Sequence, residues 1–228
     1  IGPGPGGLTR ALLEQGVGKL YVVERDERCL AALAEVSAAY PEKMEITAGD
    51  ALKTDIAQLG AAPRHIVANL PYNISTTLLI QWLRQSDAFA GMTLMFQREV
   101  AERIAAAPNS KAYGRLSVMA QWCCDTRILF HIDKKAFTPP PKIMSTVIQL
   151  IPRPMPPDAP PFDLVEKIVA AAFGQRRKML RASLKSLGMD TNALLERAGI
   201  AGDLRAESLT VGQFLALADA ARYLSPRM

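Results

Sequence analysis

Along the chain, short apolar runs rich in β-branched residues alternate with longer stretches in which apolar residues return every three or four positions. The short runs are Leu20 to Glu24, Met44 to Ala48, His65 to Leu70 and Met92 to Phe96, and they read as buried strands. Leu8 to Gln15, Glu27 to Ala39 and Ser75 to Gln85 carry the helical spacing between them. Ser75 stands where it could cap the last of these, after the turn at Pro71-Tyr72-Asn73. A further helix is expected from Gln97 to Ala106, stopped by Pro108. This alternation predicts an α/β fold with a mostly parallel sheet. Two more β-like runs, Arg127 to Ile132 and Ser145 to Ile151, follow with no helix expected between them, so an antiparallel strand should end the sheet.

Six prolines between Pro152 and Pro161 read as a stiff linker. Beyond them the strand pattern stops, and Phe162 to Ala172, Gln175 to Leu187, Asn192 to Ala198 and Val211 to Leu224 have helical spacing. The expected division is an α/β domain over residues 1–154 and a small all-α domain over 155–228. The opening Ile1-Gly2-Pro3-Gly4 reads as the end of a strand, so preceding sequence is expected.

Composition narrows the classes. With 49% hydrophobic and 21% charged residues, the chain can build a packed core. No apolar run approaches the roughly 18 residues that a membrane span needs. Three cysteines, Cys29, Cys123 and Cys124, offer no Cys-x-x-Cys pair, which argues against a disulfide framework and a zinc site and favours reduced thiols in the cytoplasm. The net charge of +5 turns attention to polyanionic partners, and the distribution of that charge matters more than its sum.

Gly2-Pro3-Gly4-Pro5-Gly6-Gly7 lies between a strand end and a helix, where glycine lets the backbone turn sharply against a ligand. Gly2, Gly4 and Gly7 satisfy G-x-G-x-x-G, a weak signal by itself. Glu24 closes the next strand, where a carboxylate can accept from ribose hydroxyls of NAD or S-adenosylmethionine alike. Gly49-Asp50-Ala51 closes the one after; Asp50 could accept an adenine amine, or simply turn the chain. Ligands of open α/β sheets bind outside the carboxyl ends of the strands, so the three together point to a nucleoside-type cofactor.

Asn69-Leu70-Pro71-Tyr72 follows the fourth strand. The exocyclic nitrogen of adenine is a poor nucleophile because its lone pair is conjugated into the ring. The Asn69 side-chain oxygen, with a backbone carbonyl at Leu70 or Pro71, could grip both N–H groups and favour a tetrahedral nitrogen aimed at a sulfonium methyl. Pro71 holds its neighbour extended, and Tyr72 could stack on an adenine turned out of its helix. The blander alternative is a strand exit with an Asx turn; its place in line with the cofactor elements weighs against that.

These segments resemble the ribosomal RNA adenine N6-dimethyltransferases. The likeness runs from Ile1-Gly2-Pro3-Gly4 through Val23-Glu24-Arg25-Asp26, Gly49-Asp50-Ala51 and Asn69-Leu70-Pro71-Tyr72-Asn73-Ile74-Ser75. It continues through Gln97-Arg98-Glu99-Val100, Tyr113-Gly114-Arg115-Leu116-Ser117-Val118, Ala136-Phe137-Thr138-Pro139-Pro140-Pro141-Lys142 and Phe173-Gly174-Gln175-Arg176-Arg177-Lys178. The resemblance implies a Rossmann-like, S-adenosylmethionine-dependent methyltransferase that dimethylates two adjacent adenines near the 3′ end of small-subunit rRNA. It implies cofactor contacts at Gly2, Gly4, Glu24, Asp50, Ala51 and Asn69, and a target adenine held between Tyr72 and Phe137. A Phe-Leu pair and an acidic residue that precede the glycine turn in that family have no counterpart here.

From Lys167 to Met189 the chain carries six cations and no acidic residue. Arg177, Arg181 and Lys185 recur every four residues, so a shared helical face is expected; with Arg176 and Lys178 it would suit rRNA phosphates. The expected partner is rRNA or an immature small subunit, bound by a monomer without metal or membrane. Two alternatives remain on the sequence alone: the large-subunit methyltransferases of macrolide resistance, and a catalytically inert RNA-binding assembly factor. A dehydrogenase would need a second mononucleotide-binding half, which the sequence lacks.

Overall fold

The computed structural model describes residues 1–137 and 143–224. The chain divides into two compact units, one of residues 1–98 with 129–152 and one of residues 99–128 with 153–228.

In the first unit, α1 (Gly7–Glu14) leads to β1 (Leu20–Glu24), α2 (Glu27–Ala39) and β2 (Met44–Ala48). β1 and β2 pair in parallel, Leu20 opposite Met44 and Glu24 opposite Ala48. Asp26 starts α2 by accepting the Arg28 N–H at its side chain, which satisfies one of the amides a helix start leaves unpaired. Leu33 and Val36 on the inner face of α2 pack with Leu13, Val22 and Met44. Burying side chains of this size contributes roughly 1.5–3 kcal/mol each.

β3 (His65–Asn69), α3 (Ser75–Leu83) and β4 (Gly91–Gln97) repeat the pattern, with β3 and β4 parallel. α3 buries Leu78, Leu79, Trp82 and Leu83, which explains its mostly apolar sequence. β6 (Ser145–Pro152) runs antiparallel to β4, and β5 (Cys124–Ile132) lies outside it, giving the order β3-β4-β6-β5. The expected mixed, mostly parallel α/β architecture is therefore present, its hydrogen-bonded strands among the described residues falling into β1-β2 and the four-stranded group. Among the described residues β1 pairs only with β2, and β3 only with β4. Residues of β1 and β3 line a cavity of about 700 Å³ together with Ile1, Gly2 and Leu12.

The second unit is mainly helical: most of α4 (Arg98–Ile104), then α5 (Arg115–Cys123), α6 (Phe162–Gly174), α7 (Leu180–Ser183), α8 (Thr191–Ala198) and α9 (Val211–Ala221). Its aromatic centre joins Phe173 edge-on to Tyr113 at 6.1 Å and stacked on Phe214 at 5.6 Å. Trp122 stacks on Phe162 at 5.5 Å. Those contacts explain why residues 99–128 belong with the helices, whereas a single break near residue 155 groups them with the sheet. α5 was not expected. It buries Ser117 to Ala120, Trp122 and Cys123, so no polar face marks it in the sequence. The helix expected over Gln175 to Leu187 is broken: Gln175 to Met179 form a turn before α7, and a short 3-10 turn covers Leu184–Leu187. Met179 forms a β-bridge with Arg205 there, incompatible with a continuous helix. No helix among the described residues is long and apolar enough to cross a membrane.

Candidate active site

The glycine turn is shaped by backbone conformation. Gly2, Gly4 and Gly6 have φ of 57°, 56° and 94°, a region that L side chains rarely adopt. A Cβ on Gly4 would meet nothing within 4 Å, so it is the turn, not crowding, that demands glycine there. Gly6, rather than Gly7, is the third special position: it is the left-handed N-cap of α1, and a Cβ on it would press on Leu33 at 3.3 Å.

Glu24 binds this turn to the end of β1. Its side chain is nearly buried; Oε2 accepts the Gly4 N–H at 3.0 Å, while Oε1 accepts those of Arg25 at 2.8 Å and Asp26 at 3.0 Å. The backbone completes the lashing, since Gly2 N–H donates to Val23 C=O at 2.9 Å and Gly49 N–H to Glu24 C=O at 2.8 Å. Three loops that are far apart in sequence thus converge on one strand end.

Asp50 does some of what a turn residue does: Oδ1 accepts the Leu52 N–H at 3.0 Å, and its carbonyl accepts the Thr54 hydroxyl at 2.9 Å. Oδ2 instead faces the exposed Arg25 guanidinium at 3.8 Å, a solvent-screened pair that a ligand could displace cheaply. Ala51 is half-buried beside it.

Asn69 ends β3 in register with Met95 and lines the cavity with Gly2 and Gly4. Among the described residues no group hydrogen-bonds its carboxamide. Leu70 is buried, and Pro71 lies beside the glycine turn, its Cδ 4.0 Å from where a Gly2 Cβ would be. The Pro71 carbonyl accepts the Ile74 N–H at 3.1 Å, which leaves the Leu70 carbonyl as the better second acceptor. Ser75 does not cap α3; Ile74 holds that position, and the Ser75 hydroxyl donates back to the Tyr72 carbonyl at 3.1 Å. The Tyr72 phenol shares a 2.8 Å hydrogen bond with Ser145, a partner that no spacing in the sequence announces.

The structure does not bring every expected residue together. The cavity along β1 and β3 reaches Gly2, Gly4 and Asn69; Glu24 joins them through its bond to Gly4 and Asp50 through the neighbouring Gly49, whereas Tyr72 lies off the lining. Phe137 is half-buried at the end of a short 3-10 turn, Lys134–Ala136, and no ring contact joins it to Tyr72 among the described residues. Thr138 to Lys142, the rest of the Phe-Thr-Pro-Pro-Pro-Lys run, lie outside the described residues. In the helical unit Arg176 is engaged internally, donating to Glu207 at 3.1 Å and to the Lys111 carbonyl at 2.7 Å. Arg177, Lys178, Arg181 and Lys185 are exposed, with no acidic partner among the described residues. The broken helix takes Arg177 off the helical face expected to carry Arg181 and Lys185.

Residues 1–222 match the family model described as ribosomal RNA adenine dimethylase. The ribosomal RNA small subunit methyltransferase A of Paramagnetospirillum magneticum is 57% identical over 220 residues, covering 96% of this chain and 78% of that protein. Its counterpart in Rhodospirillum rubrum is 54% identical over 220 residues, covering 96% and 76%. Among solved structures, a dimethyladenosine transferase from Plasmodium falciparum superposes with a TM-score of 0.79 at 25% identity, covering 95% of this chain and 86% of that one. The 23S rRNA methyltransferase ErmE shares the fold, with a TM-score of 0.68 at 24% identity over 96% and 88% of the two chains.

Proposed function

From its membership of the ribosomal RNA adenine dimethylase family, to which this chain belongs, we propose that it methylates the N6 amines of two adjacent adenines near the 3′ end of small-subunit rRNA, with S-adenosylmethionine as donor. The observation that supports this reading best is the convergence of the glycine turn, Glu24 and the Asp50 loop on one strand end, beside an Asn69 carboxamide that has no hydrogen bond among the described residues.

The donor set suits the cofactor. A carboxylate has about four lone-pair sites, and Glu24 uses three, which leaves one for a ribose hydroxyl. Asp50 Oδ2 would accept an adenine amine in exchange for its weak pairing with Arg25. Gly2 and Gly4 leave backbone, without side chains, next to the bound nucleoside. When bound, S-adenosylmethionine supplies an electrophilic methyl group on a sulfonium.

The chain's part is positioning. The Asn69 oxygen and the Leu70 carbonyl would accept the two N–H groups of the target amine and turn its lone pair toward the methyl. A carboxamide is no base, so the amine would lose its proton after becoming cationic. Tyr72, and Phe137 from its own loop, would sandwich the extruded ring. Orientation and electrostatics then supply the rate, with no covalent intermediate. The helical segment 155–228 would contact rRNA phosphates through Arg177, Lys178, Arg181 and Lys185, which orients the enzyme without reading sequence.

The test is to incubate the protein with methyl-labelled cofactor and immature small subunits, then to map the modified adenines by primer extension. Label at two neighbouring adenines near the 3′ end supports the proposal. Label at other positions only, or none, rejects it.

A further inference from the structure

Tyr72 is held at both ends by serines. Its carbonyl accepts from the Ser75 hydroxyl, and its phenol meets the Ser145 hydroxyl 73 residues away in sequence. Ser75 is 2% exposed and Ser145 fully buried, whereas Tyr72 itself is only half-buried. Ser145 is the first residue of β6, fixed opposite Gln97 in the antiparallel ladder with β4. A buried hydroxyl on a central strand therefore reaches out to the tip of a partly solvated ring. Core packing does not require this, because the phenol of a half-exposed tyrosine can be satisfied by water. The bond fixes the ring axis. A hydrogen bond at the far end of a side chain with two rotatable bonds removes most of its remaining freedom.

We propose that Ser145 is a positioning residue for methyl transfer: it pins the Tyr72 phenol so that the ring stands ready to receive the extruded adenine. This rests on the adenine-methylating reading of the site and adds to it a residue that acts through Tyr72 without touching the substrate. A free ring would have to be ordered as the base stacks, and that ordering cost would fall on the complex in which the amine faces the methyl donor. β6 is also the next strand after Phe137 in the chain, so the tether ties the Asn-Leu-Pro-Tyr turn to the element that follows the second aromatic residue.

Ser145→Ala, Tyr72→Phe and the double variant test the proposal, with 3-fluorotyrosine incorporated so that the fluorine resonance of residue 72 can be followed. Both single variants should lower kcat about tenfold, the double variant no further, and KM for S-adenosylmethionine should stay within twofold. The Tyr72 fluorine line should narrow in Ser145→Ala as the ring gains freedom. A purely structural role for Ser145 would move the denaturation midpoint without this split between kcat and KM. The tether is overturned if the fluorine line is unchanged, if Ser145→Ala keeps its kcat, or if the two losses multiply. The fluorine experiment needs no turnover, so absence of methyl transfer by the unaltered protein would reject the enzymatic reading while the line still decides the tether.

Discussion

The sheet unit and the helical unit treat their charged side chains in opposite ways. At the end of β1, Glu24 is nearly buried and spends both oxygens on three backbone N–H groups, so its position is dictated by the turn it holds. In the helical unit Arg177, Lys178, Arg181 and Lys185 stand in solvent with no acidic partner among the described residues. Arg176, beside them in the chain, is instead drawn inward onto Glu207 and the Lys111 carbonyl. A group that must meet particular atoms of a small ligand has to be prearranged. Groups that meet a phosphate chain need only be numerous and free to move, since their attraction is long-ranged and indifferent to sequence.

The sharpest test of that contrast is Asn69→Ala. It should cut methyl transfer by about 10²- to 10³-fold, the order seen when one preorganised hydrogen-bonding partner of a reacting group is removed, with RNA affinity within twofold. Filter-binding and single-turnover assays on one preparation would separate the two effects, and retained turnover would break the proposed grip on the amine.

Glu24→Ala comes next. It should weaken S-adenosylmethionine binding at least tenfold in calorimetric titration. It should also cost about 2 kcal/mol of stability by releasing the backbone N–H groups the carboxylate holds. RNA affinity should not move.

Reversing Arg177 and Arg181 to Glu should do the converse. RNA affinity should fall about tenfold and the slope of log affinity against log salt should become shallower by about two, with kcat at saturating RNA preserved. Arg176→Ala should leave that slope alone and instead lower the denaturation midpoint. If Arg176 changes the slope as its neighbours do, the division between inward and outward cations fails.

Tyr113→Phe should have the smallest effect. The Tyr113 hydroxyl is buried with no hydrogen-bond partner among the described residues, so its loss should change stability by under about 1 kcal/mol at neutral pH. Burial raises the phenol from 10.0 to about 12. Because the folded value lies above the unfolded one, the protonated phenol's contribution is intact below pH 10 and is lost as pH climbs through 12. Urea midpoints measured between pH 9 and 12 (the range set by those two values) should therefore fall less steeply for Tyr113→Phe than for the parent.

Legibility in the sequence followed the same divide. Strands such as Leu20–Glu24 and Met44–Ala48 matched the expected bounds because apolar runs punctuated by turn residues have few other readings. The site was readable wherever a residue type carries its own chemistry: the glycines, the two acids, the Asn-Leu-Pro-Tyr run. What escaped depended on tertiary context. α5 is buried almost all round and shows no period. The Gln175 to Leu187 stretch has ideal charge spacing yet is interrupted where Met179 pairs with Arg205. The Ser145–Tyr72 bond joins residues 73 apart, and the occupied Pro71 carbonyl is a matter of backbone geometry alone.

The glycine turn has a practical consequence for mutagenesis. Gly4 has open space around its missing side chain but a left-handed backbone, so even alanine should be rejected there although nothing would collide with it. Saturation of that position should recover glycine almost alone, which separates a demand made by the backbone from one made by crowding.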